Sequence, residues 1–322
     1  MTLPPTLAPR FAELHRAARD YFLELQQRIC TALEQVDGSG RFQEDRWERP
    51  GGGGGRTRIL AEGTVFEKGG VNFSEVFGEL APDFAQQLPG EGLHFTAVGI
   101  SLVIHPRSPL VPTVHANFRF LTHGNKGWFG GGADLTPYYP FREDVVHFHK
   151  VWKRICERHA AVADYDAMKK ACDEYFYLKH RQEARGVGGI FFDYADASEA
   201  MWAFVRDAGD AFLTAYLPIV QRRKDLPYTP QQRWFQEYRR GRYVEFNLIY
   251  DRGTVFGLRT QGRTESILMS LPPVVRYVYD YRPEPGSREA ELTNYWLIPR
   301  NWADMEETEP LAPDGVDRPA KT

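Results

Sequence analysis

Four features of this 322-residue chain hold residue types that can do chemistry. The first lies in residues 94–104 and 113–122, where side chains of a strand would alternate faces. Val98, Ile100, Leu102 and Ile104 point one way, and Ala97, Gly99 and Ser101 the other, with His105 just beyond the strand end. Val114, Ala116, Phe118 and Phe120 likewise share an apolar face, opposite His115, Asn117 and Arg119. Paired, the two strands would line Ser101, His105, His115, Asn117 and Arg119 along one polar wall over a small-residue floor. The plainer alternative is a solvated sheet face.

The second feature is WFGGGADL at 128–135. Glycines in a strand often mark close approach by a ligand or another backbone, and Asp134 would project from that bare surface. A Gly-rich turn capped by an aspartate is the competing reading. The third is a set of histidines. In a helix from 143, Val145, His149, Trp152 and Cys156 fall on one stripe, so His149 faces inward and His147 does not. A hydrogen-bonded core histidine explains that equally well. With His105, His115 and His180, His149 can offer imidazoles to a divalent metal, although the spacing is unlike H-E-x-x-H. The fourth is arginine: Arg181 and Arg185 before a glycine-rich turn, Arg259 and Arg263 further on. Arginine binds carboxylate through paired hydrogen bonds, so the distribution permits a polycarboxylate ligand.

The elements that must position these residues read as follows. Residues 11–36 have helical spacing and stop at Asp37-Gly38. Gly51–Gly55 reads as a flexible connection, or else a lid, because no phosphate-loop pattern accompanies it. Residues 143–159 and 165–185 read as helices, the second closed by Gly186. Residues 187–193 read as a buried strand and 197–217 as a helix. Another helix starts at the capping box Thr229-Pro230-Gln231-Gln232. Residues 243–250 and 255–260 read as strands around Asp251-Arg252-Gly253. Antiparallel-type turns between the strands, with helices interspersed, predict an α+β fold. It should hold a large, mostly antiparallel sheet with helices on both faces, in one domain over residues 1–302. The acidic, Pro-rich residues 303–322 read as a flexible tail.

Composition narrows the function classes. A formal net charge of −3 argues against a nucleic-acid binder, which needs a basic excess. No apolar run reaches membrane-span length, and MTLPPTLAPRF is not a secretory signal. Three cysteines give no iron–sulfur or zinc spacing and point to a reducing cytoplasm.

Long motifs then carry a resemblance. KKACDEYFYLKHRQEARGVGGIFFD at 169–193 is similar to the defining motif of oxygen-dependent coproporphyrinogen III oxidases. HANFRF (115–120), WFGGGADLTPYY (128–139), RRGRYVEFNLIYDRGTVFGL (239–258), RTESILMSLPP (263–273), GGGGGRTRIL (51–60) and GVNFSEVFG (70–78) continue it, over roughly residues 15–302. Ala171 stands where the family usually has Trp, and Gln261 where it has Gly or Pro. The resemblance implies oxidative decarboxylation of two propionates of coproporphyrinogen III to vinyls, consuming O2 and releasing CO2. Flavin, heme and iron–sulfur cluster are not needed. It implies a homodimer through about residues 243–278, and a flat antiparallel sheet between helices. Carried over by motif, Ser101, Asn117, Phe118, Arg119, Arg185, Gln261, Gly262 and Arg263 resemble substrate contacts. Asp134 resembles the acid/base group facing the pyrrole nitrogens, and His115 the proton donor. His105, His115, His149 and His180 match divalent-metal ligands, with manganese as the example. A non-catalytic tetrapyrrole carrier would need the same floor and arginines but neither Asp134 nor His115, and a histidine-site metallohydrolase would ignore O2.

Overall fold

The computed structural model describes residues 4, 7–259 and 262–307. Its elements run α1 (Ala12–Asp37), β1 (Gln43–Glu48), β2 (Gly53–Ala61), β3 (Phe66–Glu79), α2 (Pro82–Ala85), β4 (His94–Pro106), β5 (Thr113–His123), β6 (Lys126–Thr136), α3 (Arg142–Arg158) and α4 (Tyr165–Tyr175). They continue β7 (Tyr177–Leu178), β8 (Glu183–Ala184), β9 (Gly188–Asp196), α5 (Glu199–Arg223), α6 (Pro230–Ile249), α7 (Arg252–Arg259), α8 (Thr264–Leu268) and α9 (Arg288–Glu291). Seven strands form one sheet in the order β1-β2-β3-β4-β5-β6-β9, and every pairing is antiparallel. This is the expected α+β architecture. Among the described residues no helix is long and apolar enough to cross a membrane.

The two sheet faces have different work. Val98, Ile100, Leu102, Val114, Ala116, Phe118 and Phe120 are buried in one core with Phe22, Leu25 and Ile29 of α1 and Phe204, Phe212 and Tyr216 of α5. Fully burying such side chains is worth about 1.5–3 kcal/mol each, which fixes the parity of every strand. A one-residue slip would swap the faces. On the opposite face a smaller cluster of Cys172, Phe176, Leu178, Phe191 and Phe246 ties α4, β7 and α6 to β9. Phe256 of α7 packs on Phe95 of β4, and Met269 lies over Gly70 of β3. The second face is therefore roofed by α4, α6, α7 and the turn after α8.

Three expected elements differ. The helix expected over 165–185 ends at Tyr175, and β7 and β8 form a short hairpin in its place. Lys179, His180, Arg181, Gln182 and Glu183 favour helix locally, but burial of Leu178 and the anchoring of Arg185 described below override that preference. The hairpin expected over 243–260 is a helix–helix corner: α6 continues from its capping box to Ile249, and Asp251 caps α7 by accepting from the Thr254 amide at 2.8 Å. The apolar alternation in YVEFNLIY suited a strand, yet a helix already nucleated at Thr229 runs through it. Gly53–Gly55 is no flexible connection either, since it pairs with both β1 and β3. Residues 303 and 304 of the expected tail sit in a helical turn beside Trp302, with Asp304 bonded to Lys153 of α3 at 2.5 Å. Residues 308–322 lie outside the described residues.

One carboxylate welds α1 to the sheet. Asp37 accepts backbone N–H groups from Gly40 (2.6 Å), Thr64 (3.0 Å), Val65 (2.9 Å) and Phe66 (2.8 Å). Burial raises its pKa, but those four bonds outweigh burial and hold it below the usual carboxylate range. Asp37→Ala should lower the unfolding free energy by about 2–4 kcal/mol, since buried donors lose a charged acceptor. Urea melts of both proteins check this, and an unchanged midpoint would contradict it.

Candidate functional site

The site grows from strand register on the second face. His115 on β5 stands directly opposite Asp134 on β6, Asn117 opposite both Ser101 on β4 and Gly132 on β6, and Arg119 opposite both Gly99 and Gly130. The sheet thus brings Ser101, His115, Asn117 and Arg119 together, as alternation predicted, with Asp134 of the Gly-rich segment beside them. That segment is strand rather than turn, and His105, expected beyond the strand end, lies within β4 with its ring bonded to the Ser270 carbonyl. Phe118 does not join them: its side chain points into the core on the other face and is 1% exposed. A substrate contact through the Phe118 ring is corrected on that ground.

Asp134 and Arg185 form the centre. Arg185 Nη2 donates to both carboxylate oxygens, at 2.9 and 2.8 Å, and each side chain is only 2% exposed. Arg185 Nη1 donates to Asn247 Oδ1 at 3.1 Å, and Asn247 Nδ2 to Ser270 Oγ at 3.1 Å. The guanidinium carbon sits 4.0 Å from the Phe176 ring centroid, 4.5 Å from Tyr243 and 4.7 Å from Phe246. Desolvated cation–π contacts of this kind contribute up to about 2 kcal/mol each. Gly186 makes the approach possible, because a Cβ there would lie 2.2 Å from the Leu135 carbonyl oxygen. Burial raises the Asp134 pKa, but the Arg185 charge and the His115 hydrogen bond more than offset it and keep the carboxyl ionised. Burial lowers the Arg185 pKa, and the Asp134 charge more than restores it.

His115 completes an acid–base arrangement. Its Nδ1 lies 2.8 Å from Asp134 Oδ1 and, facing a carboxylate, carries the proton. Nε2 faces the half-open wall, 3.4 Å from Asn117 Nδ2. Asn117 Oδ1 is buried with no partner among the described residues. Arg119 Nη2 donates to Asp193 Oδ2 at 3.0 Å, and Arg252 Nη2 lies 3.6 Å from the same oxygen. Gly130 leaves space for that cluster: a Cβ there would stand 2.6 Å from Asp193 Oδ1. Arg263 instead pairs with Asp45 of β1 at 2.6 Å, away from the Asp134 centre. Gly262 adjoins it, with its amide bonded to the Gly257 carbonyl at 2.8 Å. Gln261 lies outside the described residues.

The four expected metal ligands are not brought together. Among the described residues no group of three or more His, Cys, Asp or Glu side chains is placed to hold a metal ion. The imidazole lone pairs explain why. His105 Nε2 faces the Ser270 carbonyl at 2.8 Å and must donate, so Nδ1 accepts from Thr113. His149 Nε2 donates to the Val187 carbonyl at 3.0 Å, so Nδ1 accepts from Tyr165. Burial pushes both imidazoles down, towards the neutral form that fits this wiring. His180 lies between Glu245 (2.7 Å) and Tyr250 (2.9 Å). Those three rings have no nitrogen to spare, and His149 is the hydrogen-bonded core histidine of the plainer reading.

Asp193, Arg252, Tyr243 and Asn247 belong to the surroundings of this site and were not singled out from sequence. Asp193 ends the VGGIFFD strand and had a legible signal, a lone carboxylate closing an apolar run. The others sit on the α6–α7 corner that sequence read as a hairpin.

The family model described as coproporphyrinogen III oxidase matches residues 17–302. The match spans every element that builds the Asp134 centre.

Asp134→Asn should cost about 3–5 kcal/mol of stability, because it strands a buried guanidinium. The sign with pH follows from the lowered folded-state pKa. The contribution is complete above the unfolded carboxylate value and disappears as pH falls through the folded value. Urea melts from pH 7 to pH 3 should show the wild type losing stability on acidification and Asp134→Asn losing less. Parallel slopes would contradict the ionised pair.

Proposed function

The chain belongs to the coproporphyrinogen III oxidase family, and from that premise we propose how its residues carry the family reaction. The protein is an oxidoreductase of heme biosynthesis that converts propionates of coproporphyrinogen III to vinyls by oxidative decarboxylation. For each side chain, –CH2–CH2–COOH and O2 give –CH=CH2, CO2 and H2O2, so two electrons and two protons leave the substrate for oxygen. The observation that carries our reading is the Asp134–His115 pair set in the polar wall, with Arg185 neutralising the carboxylate behind it.

His115 is the proton-exchanging residue. Nε2 faces the wall while Asp134 fixes the tautomer and stabilises the imidazolium. Asp134 is 2% exposed, which supports a role through His115 more than direct contact with the pyrrole nitrogens. Ser101 and Asn117 supply polar groups to the ring and Arg119 faces a propionate, where a charge-assisted bond contributes about 1.5–3 kcal/mol. Arg263 and the adjoining Gln261 and Gly262 form a second carboxylate contact after Arg263 exchanges Asp45 for substrate. Arg185 acts as the counter-ion of Asp134 more than as a propionate clamp, because its Nη1 and Nη2 groups serve Asn247 and Asp134. We route no step through a divalent metal, manganese included, because three of the four candidate imidazoles are committed elsewhere. A tetrapyrrole carrier would have no use for the Asp134–His115 pair.

We also propose a homodimer through residues 243–278. Leu248 (50% exposed), Ile249 (55%), Leu258, Val274, Tyr277 and Val278 are large apolar side chains left exposed within that stretch, the kind of surface a partner subunit would cover. Sedimentation should give a dimer for wild type and a monomer for Leu248→Glu/Ile249→Glu; a dimeric variant would contradict the surface. Three buried free cysteines support cytoplasmic residence, which cell fractionation checks.

Aerobic incubation of chelator-treated, metal-free protein with coproporphyrinogen III should yield vinyl porphyrin, and strict anaerobiosis should yield none. Anaerobic product would overturn the role of O2. Activity lost on chelation and restored by one divalent ion would overturn the metal-free reading.

A further inference from the structure

The register of the sheet extends the polar wall beyond the residues named so far. Asn117 stands opposite Ser101, Ser101 opposite Asn72 of β3, Asn72 opposite Thr57 of β2, and Thr57 opposite Asp45 of β1. Directly opposed residues share a face, so these five lie in one lane across the sheet on the side that carries His115 and Asp134. A neighbouring lane runs Arg119, Gly99, Ser74, Gly55 and Trp47. A Cβ on Gly55 would stand 2.3 Å from the Trp47 ring, so the indole lies over that glycine. The glycine-rich β2 and the motif GVNFSEVFG thus belong to the floor of the site.

Hydrogen-bond direction then singles out Asn72. Thr57 Oγ1 meets Trp47 Nε1 at 3.0 Å, Ser266 Oγ at 2.7 Å and Asn72 Oδ1 at 2.7 Å. Trp47 can only donate, and the Asn72 oxygen can only accept. The single Thr57 proton therefore goes to Asn72, while Trp47 and Ser266 donate to Thr57. Wired this way, Asn72 turns its NH2 group away from Thr57. Neither that group nor the Ser101 hydroxyl has a hydrogen-bond partner among the described residues, and both residues are half-buried. The lane ends at Asp45, which holds Arg263.

We propose that Asn72 is a substrate-recognition residue whose amide N–H groups bind a propionate carboxylate of the tetrapyrrole, at the Arg263 end of the lane. Asn72 and Asn117 are two strand spacings apart, about 10 Å, the scale of a tetrapyrrole ring. The ring can thus lie along the lane with its acid/base edge at His115 and a carboxylate at Asn72. Arg263 supplies charge there, and Asn72 supplies direction and discrimination against neutral side chains. The proposal rests on the coproporphyrinogen reading of the same site.

Asn72→Asp and Asn72→Ala separate recognition from structure. Aspartate still accepts from Thr57, so a merely structural role predicts Asn72→Asp near wild type and Asn72→Ala worse. Recognition predicts the opposite order, because a second carboxylate repels the first. Fluorescence titration with coproporphyrin III, the oxidised substrate, should give Kd raised about 10–100-fold in Asn72→Asp and less in Asn72→Ala. Steady-state assays should show KM following Kd while kcat stays within about 3-fold, a split expected when only binding is lost. If Asn72→Asp does not fold, Asn72→Ala must still raise KM while Thr57→Val, which removes the Thr57 bonds to Asn72, Trp47 and Ser266 but leaves the Asn72 amide in place, raises it less. Unchanged Kd in Asn72→Asp, or Asn72→Ala weaker than Asn72→Asp, overturns the proposal. Wild-type protein that forms no vinyl product would instead overturn the functional reading beneath it.

Discussion

A carboxylate and a guanidinium, both nearly sealed from water, set the terms for the rest of this molecule. Removing either charge from solvent costs several kcal/mol, and only close pairing with full hydrogen bonding repays it. Asp134 and Arg185 pair closely from distant parts of the chain, with both carboxylate oxygens bonded to Nη2 and only Arg185 Nε left without a partner among the described residues. Asp134 comes from β6, the strand next to the sheet edge, and Arg185 comes from the end of a hairpin where local preference asks for helix. Phe176, Tyr243 and Phe246 close around the guanidinium, and Asn247 accepts from its Nη1. The pair thereby ties α4, α6, β6 and the β7–β8 hairpin into one rigid corner. It leaves His115 as the group of this centre that still presents a nitrogen to the open wall.

Strand parity supplies the second constraint. The core face is filled by Val98, Ile100, Leu102, Phe118 and Phe120. The chemical face is therefore decided before any ligand arrives, because each buried residue forces its neighbours outward. Glycines at 99 and 130 keep the outward face low, and Arg119, Asp193 and Arg252 gather at its β9 end. The polar lane from Asn72 to Asn117 is the same parity read across three strands. One packing solution produces both the stability of the sheet and the flatness of the surface a tetrapyrrole needs.

Much of this was legible in the sequence. Alternation in residues 94–122 separated Ser101, His115, Asn117 and Arg119 from Phe118 and Phe120 before any fold was known, and a helical stripe turned His149 inward. Long motifs carried the family. The reach of Arg185 was not legible, because helix propensity over 176–185 is overridden by a partner some fifty residues away in sequence. The α6–α7 corner was misread for the converse reason: β-branched and aromatic residues in YVEFNLIY also suit a helix once Thr229 has nucleated it. None of the first three strands was read from the sequence, and for β1 and β2 the reason is that their Gly-rich and charged runs lack apolar alternation. β3 does alternate, since Val71 and Phe73 are buried while Asn72 and Ser74 are not. The hydrogen bonds that occupy the His105, His149 and His180 nitrogens were not legible either, because spacing does not reveal tautomer wiring.

The central claim is that Asp134 and Arg185 act as one unit that holds His115 in place. A double-mutant cycle on Asp134→Asn and Arg185→Gln, read both as unfolding free energy and as kcat, tests it most directly. The account predicts strong coupling, about 1–3 kcal/mol in stability, with the double variant no slower than the worse single one. Additivity within about 0.5 kcal/mol, with independent losses in kcat, would contradict it.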